Sequence, residues 1–196
     1  MITDPAEEAL GSDNDLCPNL MVLAGGAAAI GVISALTLPW PVAIASTVLG
    51  TLMVAGADVD ARTFLLPDLI TWGAIVAGIA AAPLLDTADP WTSTAEAIGR
   101  SACVAGVLAL FRGGYAWIRR SEGLGLGDIK LAAAIGAWLP IEAIPWCFGL
   151  ATSSALLTVM SAHLGGQPVM RTTKIPFGAF LCPALWIVFY ADSVVR

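Results

Sequence analysis

Long uninterrupted apolar runs alternate with short polar stretches along almost the whole chain. Uncharged runs occupy residues 20–38, 41–57, 69–85, 143–162 and 175–191, each close to the roughly 17 to 25 residues a helix needs to cross a bilayer. Two further runs are imperfect: residues 97–118 include Arg112, and residues 129–141 form a short segment. The pattern predicts an all-α, polytopic membrane helix bundle of about six to seven transmembrane helices joined by very short loops. That leaves no room for a separate soluble domain. Residues 20–196 are expected to form one membrane-embedded domain behind an acidic tail, residues 1–19.

Composition agrees with the pattern. The 196 residues are 58% hydrophobic and only 12% charged, with a mean hydropathy of +0.83, whereas soluble domains are about half apolar and a quarter charged. Much of the net charge of −6 comes from the tail, with Asp4, Glu7, Glu8, Asp13 and Asp15. The tail lacks the basic region of a secretory signal, so the first helix is expected to be retained. Nothing suggests a nucleic-acid partner; the lipid bilayer is the expected surrounding. Cys17, Cys103, Cys147 and Cys182 form no CxxC pair, so neither a zinc site nor a disulfide framework is indicated, and no metal or cofactor is expected.

Basic residues of short loops stay on the cytoplasmic side. Arg62 follows the second run, Arg119, Arg120 and Lys130 flank "LGLGDIK" (residues 124–130), and Arg171 and Lys174 precede the last run. In a seven-helix count these loops share one face, whereas the alternate loops are nearly free of Lys and Arg, Arg100 at a helix edge being the exception. The expected topology has the N-terminus inside, the C-terminus outside and "LGLGDIK" at the cytoplasmic face. Arg112, well inside its run, is expected to snorkel towards that face.

Carboxylates gather at the same face, where each would cost a few kcal/mol if drawn unpaired into hydrocarbon. Asp58 and Asp60 close the second run, Asp68 opens the third and Asp128 opens the fifth. Asp68 follows Pro67, an ordinary helix start in which proline and an acid suit the positive end of the dipole. Asp128 has two readings, an N-cap after a glycine turn or part of a site. Asp60, at a helix C-terminus, faces the unfavourable end of the dipole, although a solvated loop position would also accommodate it.

Gly123, Gly125 and Gly127 alternate up to Asp128. The spacing is GxGxGD after a membrane helix, not GxGxxG after a strand, so a dinucleotide loop is excluded. A loop with so few side chains can hold a carboxylate against a neighbouring helix or an extended peptide. Two carboxylates brought together could act as a hydrolytic dyad, one ionised to activate water and one protonated to polarise a carbonyl. Helix ends would favour ionised Asp128 and protonated Asp60. The only histidine, His163, sits in no HExxH, and no serine lies in a GxSxG turn, which leaves other protease chemistries unsupported.

These residues resemble a known family. "DARTFLLPD" (residues 60–68) resembles the DxxxxxLPD segment of type IV prepilin peptidases. "GLGLGDIKLAAAIGAWLP" (residues 123–140) is similar to their GxGxGD signature, and "KIPFGAFL" (residues 174–181) to their PFGPxL segment. The matches occur in family order. The resemblance implies a membrane aspartyl endopeptidase that removes the basic leader of type IV prepilins and pseudopilins at the cytoplasmic face of a bacterial or archaeal inner membrane. Carried over by position, Asp60 and Asp128 are the catalytic pair, and Gly125, Gly127, Lys130 and Pro67 are candidates for substrate positioning. Many members carry paired CxxC motifs linked to N-methylation; nothing in this chain corresponds to them, so the expectation is a peptidase-only form like those of tight-adherence pilus systems. Ala179 stands where the PFGP proline usually is.

Two other classes compete. "GLGD" and "PAL" (residues 183–185) also echo presenilin and signal-peptide-peptidase enzymes, which would put the same acid chemistry on another substrate. A proton-coupled transporter would string its carboxylates through the membrane depth.

Overall fold

The computed structural model describes residues 17–119, 125–165 and 176–195, apart from the side chain of Arg119. Gly123, Leu124, Arg120, Arg171, Lys174 and nearly all of the acidic tail therefore lie outside the described residues. Among those described, the chain forms seven helices and no strand: α1 Leu20–Thr37, α2 Trp40–Thr63, α3 Asp68–Leu85, α4 Pro90–Arg119, α5 Leu126–Trp138, α6 Ile144–Leu164 and α7 Phe177–Val195.

Local chemistry sets the boundaries. The Asn19 side chain accepts the Met21 amide at 3.0 Å and caps α1. Prolines stand in the first turns of α2 and α6, at the start of α4 and just before α3; they suit positions whose amides have no partner within the helix. Asp89 precedes α4 and accepts both the amide and the hydroxyl of Thr92, at 3.2 and 2.7 Å.

Six helices, all but α5, are long and apolar enough to cross a membrane. They expose many large apolar side chains, among them Trp40, Leu69, Leu110, Trp117 and Leu157, a surface that only a lipid environment accommodates on this scale. The chain is an integral membrane protein. With 13 residues, α5 is roughly 20 Å long against about 30 Å of hydrocarbon. It lies in the middle of the bundle, with Leu131, Ala132, Ala134 and Ile135 fully buried. Helices α3, α4 and α7 pack around it. A cavity of about 750 Å³ lies beyond its C-terminal end, lined by Asp86, Glu96, Arg100, Glu142 and Asp192 among others.

Polar contacts fasten the helices where lipid supplies no hydrophobic drive for association. The Ser34 and Ser46 hydroxyls, both buried, lie 2.9 Å apart, and the Trp186 indole donates to Ser46 at 3.1 Å, joining α1, α2 and α7. The Trp138 indole donates to the Ala74 carbonyl at 2.8 Å, and its ring meets Phe189 edge-on at 5.3 Å. Together these contacts fix α5 between α3 and α7.

Candidate active site

Four helix ends meet at one end of the bundle: the C-terminus of α2 and the N-termini of α3, α5 and α7. Asp60 lies in the last turn of α2. Its carbonyl accepts the Phe64 amide at 2.9 Å, and Phe64 takes a left-handed conformation with φ 56°. That conformation, which usually calls for glycine, turns the chain out of α2 into the short link leading to Pro67 and α3. The spacing of "DARTFLLPD" is thus the length of one tight helix-to-helix turn.

Asp60 is the only buried carboxylate among the described residues, at 6% exposure. It is held from the far end of the chain: the Ala179 amide, 119 residues away, donates to Asp60 Oδ2 at 2.7 Å. A Cβ placed on Gly178 would lie 2.9 Å from that oxygen and 3.0 Å from Asp60 Cγ, so only glycine lets α7 approach this closely. Sequence reasoning did not single out Gly178. Its signal was a glycine in the first turn of the last apolar run. Ala179 stands where the PFGP proline usually is, and a proline there would have no N–H to donate.

Asp128 is the third residue of α5, not its N-cap; Gly125 is the cap. The Asp128 carboxylate reaches back to the Gly125 amide, as the third residue of a capping box does. It belongs to none of the six candidate spans. Its carboxyl is pushed above the usual range, first by burial and then by the charge of Asp60, with the Gly125 hydrogen bond acting against both. The two acids are therefore close enough to sense each other.

The expected division by helix ends loses its basis here. Asp60 lies at once at the C-terminus of α2 and against the N-terminal amides of α7, whose dipoles act in opposite senses on the same carboxylate. The pair is better treated as one coupled unit.

The remaining candidates fall around this pair. Gly127 faces Leu66, whose Cβ would lie 3.1 Å from an added side chain, so this glycine lets the α2–α3 link pack on α5. The Pro67 carbonyl accepts the Ile70 and Thr71 amides at 3.1 and 3.3 Å and starts α3. Lys130 pairs with Asp68, which ties the same link to α5 from the other side. Asp58 accepts Arg62 and the Asn19 amide, each at 2.7 Å, fastening the start of α1 to the end of α2. Asp58 and Asp68 thus each hold a neighbouring element, and neither joins Asp60 and Asp128.

The fold and this cluster define a polytopic helical membrane protein with two neighbouring carboxylates at one end of its bundle. A profile described as the type IV leader peptidase family matches residues 47–165, and the chain belongs to that family. It is 32% identical over 174 residues to the prepilin leader peptidase/N-methyltransferase of Aeromonas hydrophila, covering 85% of this chain and 52% of that protein. The protein of the same name from Burkholderia pseudomallei is 34% identical over 169 residues, covering 83% of this chain and 50% of the relative. Leader peptidase HopD of Escherichia coli is 32% identical over 136 residues, which is 69% of this chain and 84% of HopD. The chain spans about half the length of the first two of these relatives. No solved structure matches it.

Proposed function

We propose that this chain is an intramembrane aspartyl endopeptidase that cuts the leader from type IV prepilins or pseudopilins, with Asp60 and Asp128 as its catalytic pair. The observation that carries the reading is the convergence of these two carboxylates, from the end of α2 and the start of α5, at a point where Asp60 is buried and its charge reaches Asp128. Two carboxyls this close share a proton more readily than they ionise together. The ionised member takes a proton from water, the water oxygen attacks the scissile carbonyl, and the protonated member hydrogen-bonds the developing oxyanion. Proton return to the leaving amine completes hydrolysis.

On this reading the apolar segment of the prepilin lies against the bundle and the scissile bond sits at the Asp60 end, which faces the cytoplasm across an inner membrane. The small residue Gly125 keeps the approach to Asp128 open, Gly127 lets the α2–α3 link pack beside it, and residues 20–196 act as one peptidase domain. A transporter's relay is not favoured: among the described residues Asp60 is the only buried carboxylate, and the other acids stand near helix ends or on exposed turns.

Co-expression with a prepilin from the same genome, read as leader removal on a gel, tests the proposal. Cleavage is expected with the unaltered chain and is expected to vanish with Asp60→Asn or Asp128→Asn. Cleavage that survives either substitution would sink the dyad.

A further inference from the structure

The link from α2 to α3 runs between the two carboxylates. It leaves α2 at Phe64, the C-cap, and two residues on Leu66 turns inward. A Cβ on Gly127, next to Asp128, would lie 3.1 Å from Leu66 Cβ, and one on Gly56, a turn before Asp60, 3.5 Å from Leu66 Cδ1. Thr63 secures the start of the link: its hydroxyl donates to the Val59 carbonyl at 2.9 Å and accepts the Leu65 amide at 3.3 Å. Phe64 and Leu65 are left facing outward, 50% and 61% exposed.

Phe64 is also the only non-glycine residue with a positive φ among those described, a region that bulky side chains rarely enter. Glycine would take this backbone at less cost. Neither the turn nor the core accounts for the ring: the turn would form more readily without it, and half of the residue's surface is open. A costly conformation kept beside reacting groups points to a use for the side chain.

We propose that Phe64 is a specificity-determining residue whose ring packs against an apolar side chain of the prepilin beside the scissile bond. The inference rests on a prepilin being the substrate of Asp60 and Asp128. The link then has two faces, with Leu66 holding α5 and Phe64 receiving substrate. An exposed ring at a membrane edge can also anchor in lipid, so the experiment separates the two.

Its first arm is steady-state prepilin cleavage by the full chain. Phe64→Gly removes the ring where the backbone prefers glycine, so this variant is expected to melt at or above the unaltered chain. Without the ring's burial against substrate, KM is expected to rise about tenfold while kcat stays within about threefold. Phe64→Tyr, which keeps the ring, is expected to restore KM. Unchanged KM in Phe64→Gly, an equal rise in Phe64→Tyr, or a loss confined to kcat overturns the proposal.

The second arm also serves if Phe64→Gly does not accumulate. Phe64→p-benzoylphenylalanine is combined with Asp128→Asn, which stops cleavage and leaves the substrate in place, and membranes holding both proteins are irradiated. A covalent link to the prepilin is expected. Links to lipid alone overturn the proposal, and normal cleavage by the unaltered chain then leaves the peptidase reading standing. A prepilin that links at position 64 and is never cut by the unaltered chain overturns the peptidase reading instead and leaves the contact.

Discussion

Asp89 and Asp128 both sit at helix starts, at opposite ends of the bundle, and the chain treats them in opposite ways. Asp89 is exposed, and the Thr92 hydroxyl and amide hold its carboxyl below the usual range. Asp128 makes a similar capping contact with Gly125, but burial and the charge of Asp60 outweigh it and push its carboxyl up. Around Asp89 the other acids are either exposed, as with Asp86 and Glu142, or paired, as with Glu96 and Arg100 at 3.2 Å. Around Asp128 the partner acid is buried and fixed by the backbone of a third helix. A carboxylate at a membrane helix end is thus not in itself a sign of chemistry. The sign is a pair of them desolvated together and held by elements distant in sequence.

The largest contrast is expected in turnover. Asp60→Asn or Asp128→Asn removes one partner of the proposed acid–base pair and is expected to lower cleavage at least about 10²- to 10⁴-fold. Asp86→Asn and Glu142→Gln, in the cavity beyond α5, are expected to leave it within about threefold. Leader removal on a gel measures both, and an equal loss at the far end would erase the distinction between the two acid clusters. Next in size is a pair of glycines. Gly178→Ala places a methyl 2.9 Å from Asp60 Oδ2, whereas Gly99→Ala, near the far end, meets nothing within 4 Å. Displacing a reacting group by an ångström can cost about 10²-fold. Such a loss of kcat is expected for the first, and wild-type turnover for the second.

A smaller effect appears in stability. Because the folded carboxyl of Asp128 is raised, the folded state binds its proton more tightly than the unfolded chain does. The associated stability is present below the ordinary aspartate range and is lost as pH rises through the folded value. Asp128→Asn, which stays neutral, is therefore expected to melt higher than the unaltered protein at neutral pH, with the gap closing as pH falls below the usual carboxylate range. Thermal unfolding in detergent at two pH values measures it. A variant that melts lower at neutral pH would show that Asp128 stabilises the fold as Asp89 does.

The helices were legible in the sequence because the bilayer imposes their length and composition: each uninterrupted apolar run became a helix, and the short one became the buried α5. The placement of Asp60 and Asp128 at one end of the bundle, within reach of each other's charge, was legible too, partly because an acid at a helix C-terminus has few structural uses. Less visible was everything that depends on distance through space. Ala179 meets Asp60 across 119 residues, with Gly178 beside it, and no local pattern announces that approach. The left-handed Phe64 escaped because only glycine or asparagine would have flagged it. The helix-dipole assignment of acid and base is incomplete for the same reason: it counted the helix that carries Asp60 but not the helix that Asp60 touches.

Lys130 brings the contrast down to its smallest scale, because it stands two residues from Asp128 and yet is bound to something else. Position in the glycine motif suggests a cation that receives substrate; in the fold its ammonium meets Asp68, whose side chain is 71% exposed. An ion pair so open to solvent contributes about 0–1 kcal/mol, so Lys130→Met is expected to lower stability by no more than that and to change turnover less than about threefold. The decisive measurement is a double-mutant cycle with Asp68→Asn. If the lysine only ties the α2–α3 link to α5, its effect on KM vanishes once Asp68 is neutral. If KM for the prepilin rises equally with and without Asp68, Lys130 touches substrate directly, and the boundary of the site extends about half a turn further along α5 than the two carboxylates mark.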